Sequence, residues 1–134
     1  MKIFNTSQIR QLDAYTIQHE PISSLNLMER ASKTFCQWFT RQFPNRNKKI
    51  YVFCGTGNNG GDGLAIARLL SKDYYEVAVA LLWVTPEMSK DAQENLRNIK
   101  RVSSGHPSLE VREGDEPELN ITPGSIVIDA ILGS

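Results

Sequence analysis

Residues 50–68 read IYVFCGTGNNGGDGLAIAR, and the fold follows from this stretch. Ile50-Tyr51-Val52-Phe53-Cys54 is a β-branched and aromatic run with the length of a buried strand. Glycines and asparagines follow, and Leu64-Ala65-Ile66-Ala67 then begins a helical pattern, expected to run from Gly63 to about Lys72. A strand, a glycine turn and a helix together aim backbone N–H groups at an anion. Gly55, Gly57 and Gly60 satisfy G-x-G-x-x-G, a weak signal alone. The continuation Asn58-Asn59-Gly60-Gly61-Asp62-Gly63 is more specific, because an ordinary dinucleotide loop does not require it. A tight turn with Asp62 as a helix cap is the plainer alternative.

Asp62 argues against the usual dehydrogenase pose. A carboxylate is welcome at the start of a helix, yet it repels a phosphate seated there. A nicotinamide dehydrogenase also wants an acid at the end of its second strand to hold a ribose hydroxyl. Here that strand ends Leu82-Trp83-Val84-Thr85, with Glu76 and Glu87 only flanking it.

The 134 residues suit one domain with a real core. Fifteen basic and fifteen acidic side chains cancel, which disfavours nucleic acid as a partner. Cys36 and Cys54 lack metal or redox spacing and read as reduced core thiols of a cytoplasmic protein. The opening Met1 to Thr6 is too polar for a signal peptide, and no apolar run reaches membrane-spanning length.

Outward from the central stretch, Met1 to Asn5 reads as a short extended arm and residues 6–19 as a helix capped by Thr6-Ser7. His19 at its end reads as a terminal cap rather than a catalytic group. Asn26 with Glu29 three residues on suggests a capping box. The following stripe of Leu27, Met28, Ala31, Phe35, Trp38, Phe39 and Phe43 ends at Pro44. That stripe exceeds what one helix usually buries, so a homodimer through the N-terminal helices is expected. Residues 76–83 form an apolar strand suited to a parallel sheet, and Thr85-Pro86-Glu87 reads as the start of the next helix. Leu109 to Arg112 is a short strand, residues 113–120 a solvated loop, and Ser125 to Ala130 a further buried strand.

This alternation predicts an α/β fold: a Rossmann-like, doubly wound, mostly parallel sheet preceded by two N-terminal helices. Ligands of such sheets sit outside the carboxyl ends of the strands. Asp129 ends an apolar strand there, and such an acid wants an ion, a partner or backbone N–H groups to cap. Residues 131–134, Ile-Leu-Gly-Ser, look like the start of another glycine loop, so the chain is expected to be the N-terminal part of a longer domain.

With both loops in view, the sequence resembles the YjeF N-terminal family, the NAD(P)H-hydrate epimerases, over essentially all of residues 1–134. The resemblance rests on Leu27-Met28-Glu29-Arg30-Ala31, on residues 54–63, on Ala67-Arg68 and on residues 129–134; residues 54–63 are its most specific part. It implies interconversion of the R and S epimers of hydrated NADH and NADPH, followed by a dehydratase that is often fused behind the epimerase in bacteria. It further implies that Asn58, Asn59, Gly60, Gly61 and Asp62 contact substrate. Gly133 and Ser134 would begin a second substrate loop. Asn59 and Asp129 would ligate a potassium ion, with Asp129 also the candidate acid/base. Hard oxygen ligands suit that cation. A family segment with a further aspartate and a Pro-Ser-Gly stretch has no counterpart in these residues. The rival reading is a non-catalytic scaffold, since related domains in mRNA-decapping proteins dimerise and bind through this fold.

Overall fold

Five short strands build a parallel sheet in the order β1-β5-β2-β3-β4. The computed structural model describes residues 2–5, 22–114, 117 and 119–132. The strands are β1 (Lys2–Asn5), β2 (Ile50–Cys54), β3 (Val77–Leu82), β4 (Leu109–Gly114) and β5 (Ile126–Ala130); the helices are α1 (Ser24–Gln42), α2 (Asn58–Lys72) and α3 (Lys90–Ser103). The expected helix over residues 6–19, with His19, lies outside the described residues. The expected arm at the N-terminus is a strand, with Lys2 to Asn5 in parallel register with Ile126 to Asp129.

The chain winds outward from β2 through β3 to β4, then returns to lay β5 on the other side of β2. This puts the reversal of strand order between β2 and β5. Val52 pairs with Val79 on one side and with Ile128 on the other. Side chains alternate across the sheet. Val52, Cys54, Val79, Leu81, Ile128 and Ala130 share one core with Leu64, Ile66 and Leu70 of α2, Phe39 of α1 and Ile99 of α3. The opposite face carries Tyr51, Ala78 and Val127, with Phe53 and Leu119 against them. There the return from β4 to β5 is held by Tyr51, whose hydroxyl donates to Asn120 O at 2.9 Å. The architecture is thus the Rossmann-like α/β sheet that the alternation predicts.

Several boundaries differ from expectation, each for a local reason. α1 is capped by Ser23, whose hydroxyl accepts from Asn26 N at 3.1 Å, so Asn26 is inside the helix. Glu29 is drawn instead to Arg68. α2 begins at Asn58, five residues before Gly63, so the asparagines and glycines are its opening turns rather than a loop. α3 begins after Ser89, whose hydroxyl accepts from Ala92 N at 3.2 Å. Thr85 is occupied elsewhere, bonding to Thr56 and to Glu87 O. β4 runs two residues past Arg112, to Gly114. The aromatic stripe of α1 divides: Met28 and Phe39 are fully buried, whereas Trp38 is 37% exposed.

Candidate functional site

The carboxyl ends of β2 and β5 meet where the strand order reverses. Gly55 N donates to Ala130 O at 3.0 Å, carrying the ladder one residue past β2. Backbones then crowd. A Cβ on Gly55 would stand 2.0 Å from Ile131 O, and one on Gly60 only 1.9 Å from Gly55 O. One residue type therefore stacks three segments: the first turn of α2 on the turn after β2, and that turn on residue 131. Gly63 continues the contact down the strands, since its Cβ would sit 2.6 Å from Ala130 Cβ.

Gly57 caps α2 without any side-chain hydrogen bond, and Gly61 N donates to its carbonyl at 3.1 Å. The first-turn N–H groups of α2 thus lack the Ser or Asp oxygen that usually satisfies such groups. A helix start of this kind, at the reversal of strand order, is where open α/β sheets bind anionic ligands.

The expected site residues fall around it. Asn58 is half-buried and Asn59, Gly60, Gly61 and Asp62 are buried. Asn59 Nδ2 donates to Leu132 O at 2.7 Å, tying α2 to the segment after β5. Asp129 is half-buried, and its Oδ1 accepts from Ile131 N at 3.1 Å. One carboxylate oxygen therefore does cap a neighbouring backbone N–H. By strand alternation Asp129 lies on the face of Tyr51 and Val127, opposite α2. Asn59 and Asp129 thus hold adjacent residues of that segment, Leu132 and Ile131, approaching it from opposite faces of the sheet. Gly133 and Ser134 lie outside the described residues. Asp62 is fully buried within α2 rather than at its cap. The Cys54 thiol is pushed far up, first by burial and then by the Asp62 charge.

Two further contacts, one at the site and one farther along α2, carry no signal in residue spacing. Thr56, 1% exposed, pairs its hydroxyl with that of Thr85 at 2.5 Å, and its carbonyl accepts from Ser89 N at 2.9 Å. The loop after β3 is thereby fastened to the glycine turn. Glu29 and Arg68 form a largely buried ion pair between α1 and α2. Both sit in quoted motifs, yet 39 residues separate them. Among the described residues no cluster of three or more His, Cys, Asp or Glu side chains could hold a metal ion, and no described helix is long and apolar enough to cross a membrane.

Residues 24–134 match the family of the YjeF-related protein N-terminus. The chain belongs to this family. It is 33% identical to the NAD(P)H-hydrate epimerase of Limosilactobacillus reuteri over 98% of the chain and 58% of that protein. It is also 33% identical, over its whole length, to 26% of the bifunctional NAD(P)H-hydrate repair enzyme Nnr of Moorella thermoacetica. The crystal structure of yeast ynu0 superposes on 97% of the chain and 56% of the yeast chain, with a TM-score of 0.70 at 24% identity, and so shares the fold. The chain spans about half the length of the epimerases it matches, or about a quarter of the bifunctional enzymes.

Proposed function

We propose that the complete natural polypeptide interconverts the R and S epimers of hydrated NADH and NADPH, as an isomerase of nicotinamide cofactor repair. The observation that carries this is the join at the strand-order reversal. An α2 start without a side-chain cap is fastened by Asn59 to the Leu132 carbonyl, beside Asp129. The names of the relatives suggest the chemistry, and the join at the carboxyl edge supports locating it there.

The substrate carries a hydroxyl on the carbon next to its ring nitrogen. Protonating that hydroxyl lets the nitrogen lone pair expel water and leaves an iminium. Water returning to the other face, with loss of a proton, inverts the centre. An acid/base serves both steps, and Asp129 is assigned to it. The α2 first-turn N–H groups suit the pyrophosphate, with Asn58, Asn59, Gly60 and Gly61 around it and Gly133 and Ser134 opening the second substrate loop.

A potassium ion fits the donor set. The Asn59 carboxamide oxygen and the Asp129 carboxylate are both hard oxygen ligands, and backbone carbonyls crowd the same edge. The ion would offset the carboxylate charge and attract a pyrophosphate. The exposed Trp38, with half-buried Phe35, supports a homodimer through α1. The free, buried Cys36 and Cys54 support a cytoplasmic setting. A dehydratase, fused or separate, would act next, as the bifunctional relatives suggest.

The test is direct. The complete protein is incubated with the pure R epimer of hydrated NADH, and the S epimer is followed by chromatography against the uncatalysed rate. No acceleration by a folded protein, with and without potassium, would leave only the binding-scaffold reading.

A further inference from the structure

A groove of about 370 Å³ opens between α1 and α3, above the second half of α2. Its walls carry three cations, Arg68, Lys72 and Arg101, against one carboxylate, Glu29, with the amides of Asn26, Asn95 and Asn98 between them. Arg68 lies ten residues beyond Asn58 on the same helix, about 15 Å along its axis, so the groove is separate from the candidate epimerase site.

The charges are unevenly spent. Glu29 is taken by Arg68. Among the described residues Arg101 is held only by Asn98 Oδ1, at 3.3 Å, and Lys72 has no carboxylate. Both also stand in the last turns of their helices, where the helix dipole favours a cation. That accounts for the sign at each position. It does not account for the two converging, from different helices, on a groove floored by a third cation.

We propose that this groove binds a phosphomonoester anion. Three cations less one carboxylate leave two positive charges, the charge of a phosphomonoester near neutral pH with its sign reversed. Guanidinium and ammonium groups are the side chains that hold phosphate oxygens best. The volume is at the lower end of small-molecule sites, which suits a sugar phosphate or mononucleotide rather than a whole dinucleotide.

Calorimetric titration of the complete protein at low salt, with inorganic phosphate, ribose 5-phosphate and AMP in turn, tests this. One site with a Kd of about 1 mM or tighter is expected for at least one probe. Equal affinity for all three identifies phosphate as the whole ligand; tighter AMP identifies a nucleotide. Lys72→Ala and Arg101→Ala should each weaken binding by roughly 10-fold or more, leaving the melting temperature and epimerase rate unchanged. The exposure of both side chains keeps these variants folded. No heat from any probe overturns the proposal. So does binding that survives both substitutions but disappears in Asn59→Ala, which assigns it to the epimerase site. An epimerase rate of zero in the unmodified protein bears on the proposed function alone.

Discussion

The Asn59 carboxamide donates to the Leu132 carbonyl at 2.7 Å, joining residues 73 apart in sequence. Asp129 reaches the neighbouring Ile131 N–H from the opposite face of the sheet, at 3.1 Å. Two polar side chains therefore fix the first residues after β5. Leu132 is 71% exposed, so its side chain adds little packing to those two holds.

Asn59→Ala removes one of these holds and a proposed cation ligand together. The stability loss expected is about 1–2 kcal/mol, the worth of one buried hydrogen bond. The potassium concentration giving half-maximal epimerase activity should rise by roughly 10-fold or more. Activity measured across a potassium series, beside thermal unfolding, separates the two effects. An unchanged potassium dependence removes Asn59 from the ligand set.

Gly60→Ala has opposing terms whose sizes decide the sign. Alanine is the better helix former by about 1 kcal/mol. Its Cβ, however, would lie 1.9 Å from Gly55 O, a backbone atom that can move only by parting β2 from α2. Overpacking of that kind costs about 1–3 kcal/mol or more, so Gly60→Ala should be net destabilising. Gly57→Ala, with nothing within 4 Å of its Cβ, should change stability by less than about 1 kcal/mol. Urea unfolding of the pair checks both.

This geometry also explains what the sequence concealed. β2, β3 and β5 are legible because central parallel strands are buried on both faces and read as continuous apolar runs. The start of α2 is not legible. Glycine is a poor helix former, so Asn58 to Gly63 read as loop until the Gly55 and Gly60 backbones are seen in contact. Thr85-Pro86 has the composition of a helix start, but its hydroxyl is claimed by Thr56, from a loop 29 residues away. The capping pattern at Asn26 failed through competition, with Arg68 holding Glu29. Site residues were legible as types at strand ends. Which sheet face Asp129 takes required the register with Phe53.

Breaking the Glu29–Arg68 pair should be costly, and removing both partners much less so. Side-chain exposures of 29% and 11% make it partly shielded, so Arg68→Met alone should cost about 2 kcal/mol, less than a fully buried pair. The Glu29→Gln, Arg68→Met double variant should recover at least half of that. Additive losses in the double-mutant cycle would show that the two groups are not coupled.

Cys36 gives the chain a pH-dependent term at the alkaline end. Burial, followed by the Asp73 and Glu29 charges, pushes its thiol up to about 12. A raised folded pKa contributes stability that is complete below the unfolded value, about 8.5, and is lost as pH climbs toward the folded one. Between pH 8 and pH 10 this amounts to roughly 2 kcal/mol. Unfolding free energies at the two pH values should fall more steeply for the unmodified protein than for Cys36→Ala. Equal slopes would mean that the thiol ionises in the folded state.

Asp129 decides the catalytic assignment, because its structural and chemical roles can be separated. Its Oδ1 accepts from Ile131 N, and an asparagine in the same rotamer keeps that acceptor. Asp129→Asn should therefore fold, losing at most about 1–3 kcal/mol. What it lacks is a carboxyl able to take and return a proton, worth ~10²–10⁴-fold in rate. It also lacks the charge that a potassium ion would meet, which deepens the loss. Thermal unfolding and epimerase rate are measured together on the complete protein, at saturating potassium. A folded variant slowed by two orders of magnitude or more supports the assignment, whereas a folded variant with nearly normal turnover moves the proton transfer to another group.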